Sequence, residues 1–314
     1  MTIAFLFPGQ GSQTVGMGKQ LYEEDQDSKE QLDAINQSLP FDLQKVMWEG
    51  PKDLLTETAH AQPALVAVST TLVNVLTRNG ITPSYLVGHS LGEYSALVAA
   101  GAFTAEEAVQ IVHKRGLLME QAVPNGKGAM AAILGLDAEK LENVCKNAST
   151  EEYSVQVANY NCPGQIVISG DKTAVDAACI GAKEAGAKRA LPLPVSGPFH
   201  SSLMRPAAAE FEKELDQLQI SPANIPVISN VTAEEMIEPL EINNKLIQQL
   251  YSPVRFEESI KFLLEKGVDT FVEVGPGNVL SGLVKKISKD VKIFSVSDLS
   301  SAQSVIDAQR EAVQ

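Results

Sequence analysis

A serine inside a G-x-S-x-G motif is the first residue in this sequence that could act as a nucleophile. Ser90 lies between Gly88 and Gly92, after the apolar run Tyr85–Val87 and before the helical pattern Glu93–Ala100. A sharp strand-to-helix turn presents such a hydroxyl above the sheet, and the two glycines leave room for the tight backbone. The motif predicts that Ser90 carries an acyl group as an oxyester. A tight turn with a helix-capping serine is the structural alternative.

A serine hydroxyl needs a neighbouring base to attack at neutral pH, and the sequence has four histidines. His89 neighbours the nucleophile within the turn, so its side chain should point away from Ser90. His113 lies on the polar side of a predicted helix, and His60 lies in a polar stretch. His200 lies in a loop with glycine and proline, residues 195–202, directly after the predicted small domain, and such loops often carry chemistry. We therefore predict His200 as the base, with a helix-capping histidine as the alternative; no acid to orient it stands out.

An arginine falls on the apolar face of a predicted helix that opens with a capping box at Thr104–Glu107. Arg115 follows the apolar residues Ile111 and Val112 by four and three positions, so a helix that buries this face buries the guanidinium. A buried guanidinium needs an anionic partner. That partner is either an internal carboxylate or the carboxylate of a substrate, and the pattern alone leaves both open.

A glycine-bearing loop, Pro8–Gln13, follows the first predicted strand. A dinucleotide-binding G-x-G-x-x-G motif would need glycine at position 14, where Thr14 stands. The alternative is a backbone N–H at or near Gln10, aimed together with the N–H of Leu91 at a carbonyl oxygen held by Ser90. Two such donors form an oxyanion hole.

The elements that must position these residues alternate between short apolar runs and helical patterns, which predicts an α/β fold with a mostly parallel sheet. Buried strands are expected at Ile3–Phe7, Tyr85–Val87, Val227–Ser229 and Thr270–Val274. Sites in such sheets gather at the carboxyl ends of the strands, where the glycine loops lie.

The middle of the chain follows a different order, β-α-β-β-α-β, which is typical of a ferredoxin-like unit. Its elements are expected at Ala129–Leu134, Asp137–Asn147, Tyr153–Ala158, Gln165–Ser169, Asp171–Ala185 and Lys188–Leu193. We therefore predict a small domain, residues 125–193, inserted into a large domain of residues 1–124 and 194–314.

Net charge and cysteine content indicate which partners and which cellular compartment the protein is expected to have. The chain has 314 residues and a net charge of −14, which disfavours nucleic acid and an anionic membrane surface. Three cysteines without a CxxC pair predict neither a disulfide framework nor a zinc site. No apolar stretch reaches the ~18 residues of a membrane span. We expect a soluble cytoplasmic protein.

Together these motifs resemble the malonyl-CoA:acyl carrier protein transacylase family of type II fatty acid synthesis, from residue 1 to about 287. The resemblance rests on Phe7-Pro8-Gly9-Gln10-Gly11-Ser12-Gln13, Gln62-Pro63-Ala64, Gly88-His89-Ser90-Leu91-Gly92-Glu93, Lys114-Arg115-Gly116, Asn159-Tyr160-Asn161, Gly197-Pro198-Phe199-His200, Gln249-Leu250-Tyr251 and Glu273-Val274-Gly275-Pro276-Gly277. It implies a hydrolase-like large domain with a ferredoxin-like insert, in agreement with the pattern above.

The resemblance also implies roles for individual residues. Ser90 and His200 would form a catalytic dyad, and Arg115 would bind the malonyl carboxylate. The carbonyl of Gln249 would orient His200, in place of the missing acid. Phe199 is similar to the residue of malonyl-selective members. The other implied substrate-site residues are the oxyanion donors Gln10 and Leu91, and Asn161.

The implied reaction takes malonyl-CoA and the phosphopantetheine thiol of acyl carrier protein as substrates, with no bound cofactor or metal. A monomer is expected. The carrier is acidic in this family, so docking would need a local basic patch; Lys285-Lys286 with Lys289 and Lys292 is one candidate and Lys188-Arg189 another. The alternatives are a standalone trans-acting acyltransferase of polyketide synthesis, a serine thioesterase or esterase, and a non-catalytic carrier-binding module.

Overall fold

A computed structural model describes residues 2–124, 126–195 and 197–313, and its strands and helices are numbered here in chain order. The strands are β1 (Ile3–Phe7), β2 (Tyr85–Gly88), β3 (Gly128–Leu134), β4 (Val155–Cys162), β5 (Gln165–Asp171), β6 (Arg189–Pro192), β7 (Val227–Ile228), β8 (Glu235–Met236), β9 (Thr270–Val274) and β10 (Lys292–Val296). The helices are α1 (Lys19–Glu24), α2 (Gln26–Gln37), α3 (Leu43–Glu49), α4 (Lys52–Thr56), α5 (Thr58–Arg78), α6 (Gly92–Ala99), α7 (Ala105–Gln121), α8 (Ala138–Ala148), α9 (Lys172–Glu184), α10 (Arg205–Leu215), α11 (Pro239–Gln249), α12 (Phe256–Glu265), α13 (Val279–Ile287) and α14 (Leu299–Val313).

The larger sheet has six strands in the order β10-β9-β1-β2-β7-β8. Its neighbours pair in parallel except β8, which pairs antiparallel with β7 at one edge. The carboxyl ends of β1 and β2 therefore lie side by side, with Phe7 opposite Gly88. This register brings the loop after β1 next to the turn that holds Ser90.

Helices cover both faces of this sheet, and the alternation of side chains along β1 sets the two cores. Phe5 and Phe7 belong to the core on one face, which includes the apolar sides of α5 and α7. Ala4 and Leu6 point to the other face and pack with residues of α12 and α13. A strand buried on both faces is apolar at every position, as Ile3–Phe7 is.

The second sheet has four antiparallel strands in the order β4-β5-β3-β6, and α8 and α9 pack against it over a core of their own. The chain order β3-α8-β4-β5-α9-β6 is the ferredoxin-like one. The predicted fold class, a mostly parallel α/β unit with this insert, is confirmed. The domain bounds stay a prediction: the second sheet runs from Gly128 to Pro192, and residues 1, 125 and 314, where predicted bounds fall, lie outside the described residues.

Two strands of the larger sheet were not predicted. β8 spans two residues, too short for any periodic signal. β10 is an edge strand whose first residues are exposed or half-buried, so its sequence KIFSV lacks the continuous apolar run of its neighbours. Within the part of the chain that the structure describes, no helix has both the length and the apolar character needed to cross a bilayer.

Candidate active site

The turn between β2 and α6 holds Ser90 in a strained backbone conformation. Its φ is 52°, the left-handed region that costs an L-residue roughly 1–2 kcal/mol. A Cβ on Gly88 would lie 1.9 Å from the carbonyl carbon of Gly92, and one on Gly92 would lie 2.0 Å from the carbonyl oxygen of Phe7. Only glycine fits at these two positions, which explains the G-x-S-x-G spacing.

His200 lies directly against the serine hydroxyl. Its Nε2 is 2.8 Å from Ser90 Oγ, and its Nδ1 is 2.8 Å from the backbone oxygen of Gln249. Because a carbonyl can only accept, Nδ1 carries the proton and Nε2 is left to accept the proton of Ser90. The imidazole is thus oriented by a backbone carbonyl, in the position that an acid occupies in a Ser-His-Asp triad.

The surroundings of His200 keep its imidazole neutral. The residue is 4% exposed, and burial lowers its pKa to about 3, with the positive charge of Arg115 as the second cause. A neutral imidazole is the form that can act as a base.

Arg115 lies on the buried face of α7, as its spacing predicts. The helix begins with the expected capping box between Thr104 and Glu107. The guanidinium is 1% exposed, and its Nη2 donates to Ser90 Oγ at 3.2 Å and to Gln249 Oε1 at 2.9 Å. Among the described residues, no carboxylate forms an ion pair with it.

A buried carboxyl on α6 does not neutralise this cation at neutral pH. Glu93 is fully buried, and burial raises its pKa to about 8, an effect that the backbone N–H of Asn230 and the side chain of Gln249 partly offset. The carboxyl is therefore mostly protonated at pH 7, whereas a guanidinium stays charged. The site presents net positive charge from Arg115 to a ligand.

The two predicted oxyanion donors flank the serine. Gln10 follows β1, Leu91 follows Ser90, and both line the same cavity. Neither backbone N–H donates a hydrogen bond to any residue that the structure describes. Both donors are thus available to an oxygen on the substrate, as an oxyanion hole requires.

The remaining predicted residues also reach this cavity. Phe199 is 6% exposed and lies beside His200. The Oδ1 of Asn161 is 2.8 Å from Nε2 of His89, so this amide oxygen is bound to a histidine, while the His89 ring also packs against Phe256. The side chain of His89 is therefore engaged away from the Ser90 hydroxyl.

One functional candidate, Asn230, is not singled out by the sequence patterns. Asn230, two residues after β7, accepts from the backbone N–H of Ser90 through its side chain at 2.7 Å, and its own backbone N–H donates to Glu93 at 2.7 Å. The available signal was the position of Asn230 directly after a predicted buried strand, where polar residues of parallel sheets meet the site.

The cavity that collects these groups has a volume of about 890 Å³. Loops of the larger sheet line one side, and residues of the antiparallel unit, including Met130 and Val167, line the other. Its size lies within the range of ligand pockets, ~300–1,000 Å³, and its wall is mostly apolar with a few convergent polar groups.

Comparisons with known proteins give one consistent result. The family model described as "Acyl transferase domain" matches residues 4–314. The malonyl CoA-acyl carrier protein transacylase of Bacillus subtilis (strain 168) is 54% identical over 309 residues, covering 98% of each chain.

Two solved structures agree with this match. An acyl carrier protein S-malonyltransferase from Vibrio cholerae has a TM-score of 0.94 at 45% identity, covering 97% of this chain and 100% of its own. A malonyl-transacylase solved in complex with its type II polyketide synthase acyl carrier protein has a TM-score of 0.95 at 40% identity, covering 98% and 100%.

Proposed function

This chain belongs to the acyl transferase domain family, and from that premise we propose that it transfers malonyl from malonyl-CoA to the phosphopantetheine thiol of acyl carrier protein in fatty acid biosynthesis. One observation carries the proposal: Ser90 Oγ lies 2.8 Å from a neutral imidazole and 3.2 Å from a buried guanidinium. A nucleophile, a base and a carboxylate receptor therefore share one cavity.

In the first half-reaction, Ser90 Oγ attacks the thioester carbonyl carbon of malonyl-CoA while His200 Nε2 takes the hydroxyl proton. The N–H groups of Gln10 and Leu91 hold the oxyanion. The C–S bond then breaks, His200 returns its proton to the departing sulfur, and malonyl remains on Ser90 as an oxyester.

In the second half-reaction, His200 takes the proton of the phosphopantetheine thiol, whose sulfur attacks the malonyl ester. The C–O bond breaks, the proton returns to Ser90, and the carrier leaves with malonyl as a thioester. Only an acyl group and protons move, so the reaction balances without a metal or a redox cofactor.

The choice of malonyl is assigned to Arg115. The Arg115 guanidinium donates hydrogen bonds to a hydroxyl and an amide, and Glu93 is mostly protonated at neutral pH, so the guanidinium can receive a carboxylate from the substrate. This favours the substrate carboxylate of the two alternatives that the sequence left open. Phe199 is assigned to the wall beside the acyl group, and Asn161 to the substrate cavity.

A time course with malonyl-CoA tests the proposal against a serine thioesterase. Without carrier, a transferase holds one malonyl per chain and releases little free malonate; with carrier, malonyl moves to the carrier thiol. Rapid release of malonate at a rate that carrier does not change would identify a hydrolase and overturn the proposal.

A polyketide carrier is the second candidate acceptor, because a relative with 40% identity was solved with a type II polyketide synthase carrier. Transfer rates to a fatty acid carrier and to a polyketide carrier, measured at equal concentration, decide between them. The fatty acid assignment requires the higher kcat/KM for the fatty acid carrier.

We also propose a cytoplasmic monomer. Cys145, Cys162 and Cys179 are all free, as expected in a reducing compartment. The most exposed large apolar side chains, Leu240 and Ile180, lie on different helices, α11 and α9, and single exposed apolar residues are normal on a monomer.

A further inference from the structure

Ser90 lies beyond the last residue pair that joins β2 to β7, so the sheet does not supply hydrogen-bond partners to its backbone. The pairing of β2 with β7 ends at Val87 opposite Ile228, while the turn continues through Gly88 to Ser90. The carbonyl of Gly88 and the N–H of Ser90 therefore need other partners, since buried backbone groups are nearly always paired. The left-handed φ of Ser90 adds to this need.

Asn230 supplies both partners with one side chain. Its Nδ2 donates to the carbonyl of Gly88 at 2.7 Å, and its Oδ1 accepts from the N–H of Ser90 at 2.7 Å. In a parallel sheet, one residue bonds in this way to the two residues that flank its partner, here those on either side of His89. The side-chain amide of Asn230 thus makes the two hydrogen bonds that the backbone of one further β7 residue would have made.

Asn230 is itself fixed by a residue of α6, the helix that follows the turn. Asn230 is 1% exposed, and its backbone N–H donates to Glu93 Oε2 at 2.7 Å. Glu93 lies in the first turn of α6, three residues after the nucleophile. Hydrogen bonds therefore link Asn230 after β7, the turn that contains Ser90, and the first turn of α6.

On the other side, the Nε2 of Gln249 donates to the carbonyl of Ser90 at 3.0 Å. The backbone N–H of Ser90 donates to Asn230 and is therefore directed away from the substrate. The backbone N–H of Leu91, the next residue, remains available to the oxyanion. The position of Oγ opposite His200 depends on the rotation of this backbone.

We propose that Asn230 is a positioning residue for acyl transfer, whose side-chain amide, fixed by Glu93, replaces a strand rung and holds Ser90 in its reactive conformation. This inference rests on the proposed function, because it concerns the residue that carries the acyl group. Without the amide, the turn can relax toward an ordinary φ and Oγ moves from His200. A displacement of about 1 Å can cost ~10²-fold in rate.

The first test is Asn230→Leu, which keeps the branched shape of the side chain, with a larger volume, and removes both amide contacts. Single-turnover acylation by malonyl-CoA gives a saturating rate constant that does not depend on the active fraction. We expect that rate constant to fall about 10²-fold, with the half-saturating malonyl-CoA concentration within about threefold of the wild-type value. Ser229→Ala is the matched control, since Ser229 is equally buried and its hydroxyl accepts from the backbone N–H of Val231 and not from the turn; it should acylate at the wild-type rate.

The second test is Asn230→Asp, which also decides the matter if the leucine variant does not fold. An ionised carboxylate accepts from Ser90 but cannot donate to the carbonyl of Gly88, whereas a protonated one does both and reproduces the amide pattern. Burial raises the pKa of such a carboxyl. The acylation rate relative to wild type should therefore recover at least tenfold as pH falls from 8 to 5.5.

Titratable and charged groups around this site are Glu93 on α6, His89 in the turn, Arg115 on α7, His200, and Lys245 on α11. All are present in both proteins, so dividing by the wild-type profile removes their common effect. A negative Glu93 would raise the pKa of the introduced carboxyl further, in the same direction.

The outcomes separate the two claims. No acylation of the wild-type protein would overturn the proposed function. Acylation of the wild type together with an undiminished rate in Asn230→Leu, or a pH-independent ratio in Asn230→Asp, would overturn the positioning role alone.

Discussion

The imidazole of His200 works beside a permanent positive charge, and this neighbourhood sets the pH range in which it can accept a proton. Burial is the larger cause and Arg115 the second cause that lower its pKa to about 3. The pKa is lowered, so the neutral, basic form persists as pH falls well below the ordinary value of ~6.5.

The first prediction is therefore that the reactivity of Ser90 depends little on pH on the acid side of neutrality. The rate at which a neutral organophosphorus reagent labels Ser90 should change less than about threefold between pH 8 and 5.5, because His200 stays neutral throughout. In Arg115→Met, the pKa of His200 rises, and the rate should begin to fall at higher pH than in wild type. A tenfold decline in the wild-type protein between pH 7.5 and 5.5 would contradict this account.

The second prediction concerns selectivity for the acyl group. Arg115→Ala removes the carboxylate receptor, so kcat/KM for malonyl-CoA should fall by about 10²-fold or more, the scale of a lost charged contact. The value for acetyl-CoA, which has no carboxylate, should change much less. Measured side by side, an unchanged malonyl-to-acetyl ratio would count against Arg115 as the receptor.

At this scale, the sequence predicts residues whose local pattern is unusual. Ser90 stands between two glycines and Arg115 stands on an apolar stripe, and both anomalies are visible without a structure. Asn230 and the side chain of Gln249 have no such anomaly, because their roles come from contacts with residues more than a hundred positions away.

In the turn between β2 and α6, backbone segments approach each other so closely that Gly88 and Gly92 leave no room for a side chain. A Cβ on Gly88 would meet backbone atoms of Gly92, and backbone cannot move aside as a flexible side chain can. By contrast, a Cβ on Gly282, within α13, would meet no heavy atom within 4 Å.

The third prediction compares these two glycines. Gly88→Ala should destabilise the fold by at least ~1–3 kcal/mol through overpacking and lower Ser90 labelling. Gly282→Ala should raise stability by ~0.5–1 kcal/mol through helix propensity and leave activity unchanged. Thermal unfolding and labelling rates check both, and equal effects of the two substitutions would contradict the packing argument.

The elements themselves were largely predictable where burial gives a clear period. β1 is apolar throughout and was located to the residue, and α7 was located from its capping box and stripe. β10 lacks that signal because it is an edge strand in which only Val296 is fully buried.

At the scale of the whole molecule, the fold brings together two basic segments that the sequence separates. Lys286 Nζ lies 2.9 Å from Oε1 of Gln165, at the start of β5. Lys188 packs on Gly135, whose N–H donates to the carbonyl of Gly164 at 2.8 Å, so both lysines lie at the β4–β5 turn. The sequence contained both segments as separate candidates, but only the tertiary structure joins them.

The fourth prediction follows for a protein whose net charge is −14. Combined Lys188→Glu and Lys286→Glu substitutions should raise KM for an acidic carrier by about tenfold, because a local attractive patch becomes repulsive. KM for malonyl-CoA in the first half-reaction should not change. Combined Lys19→Glu and Lys213→Glu substitutions, at exposed lysines on α1 and α10, give the control with the same change of net charge; an equal effect there would indicate net charge and not docking.

Intact mass of the protein after brief treatment with malonyl-CoA is the most direct measurement of the central chemistry. The wild-type protein should gain one malonyl group, located on Ser90 by peptide mapping and discharged by added thiol. Ser95→Ala, which removes a buried hydroxyl from the next helix, should gain it too, and Ser90→Ala should gain none. A malonyl adduct of equal yield in Ser90→Ala, or on another residue of the wild type, would contradict the role assigned to this hydroxyl.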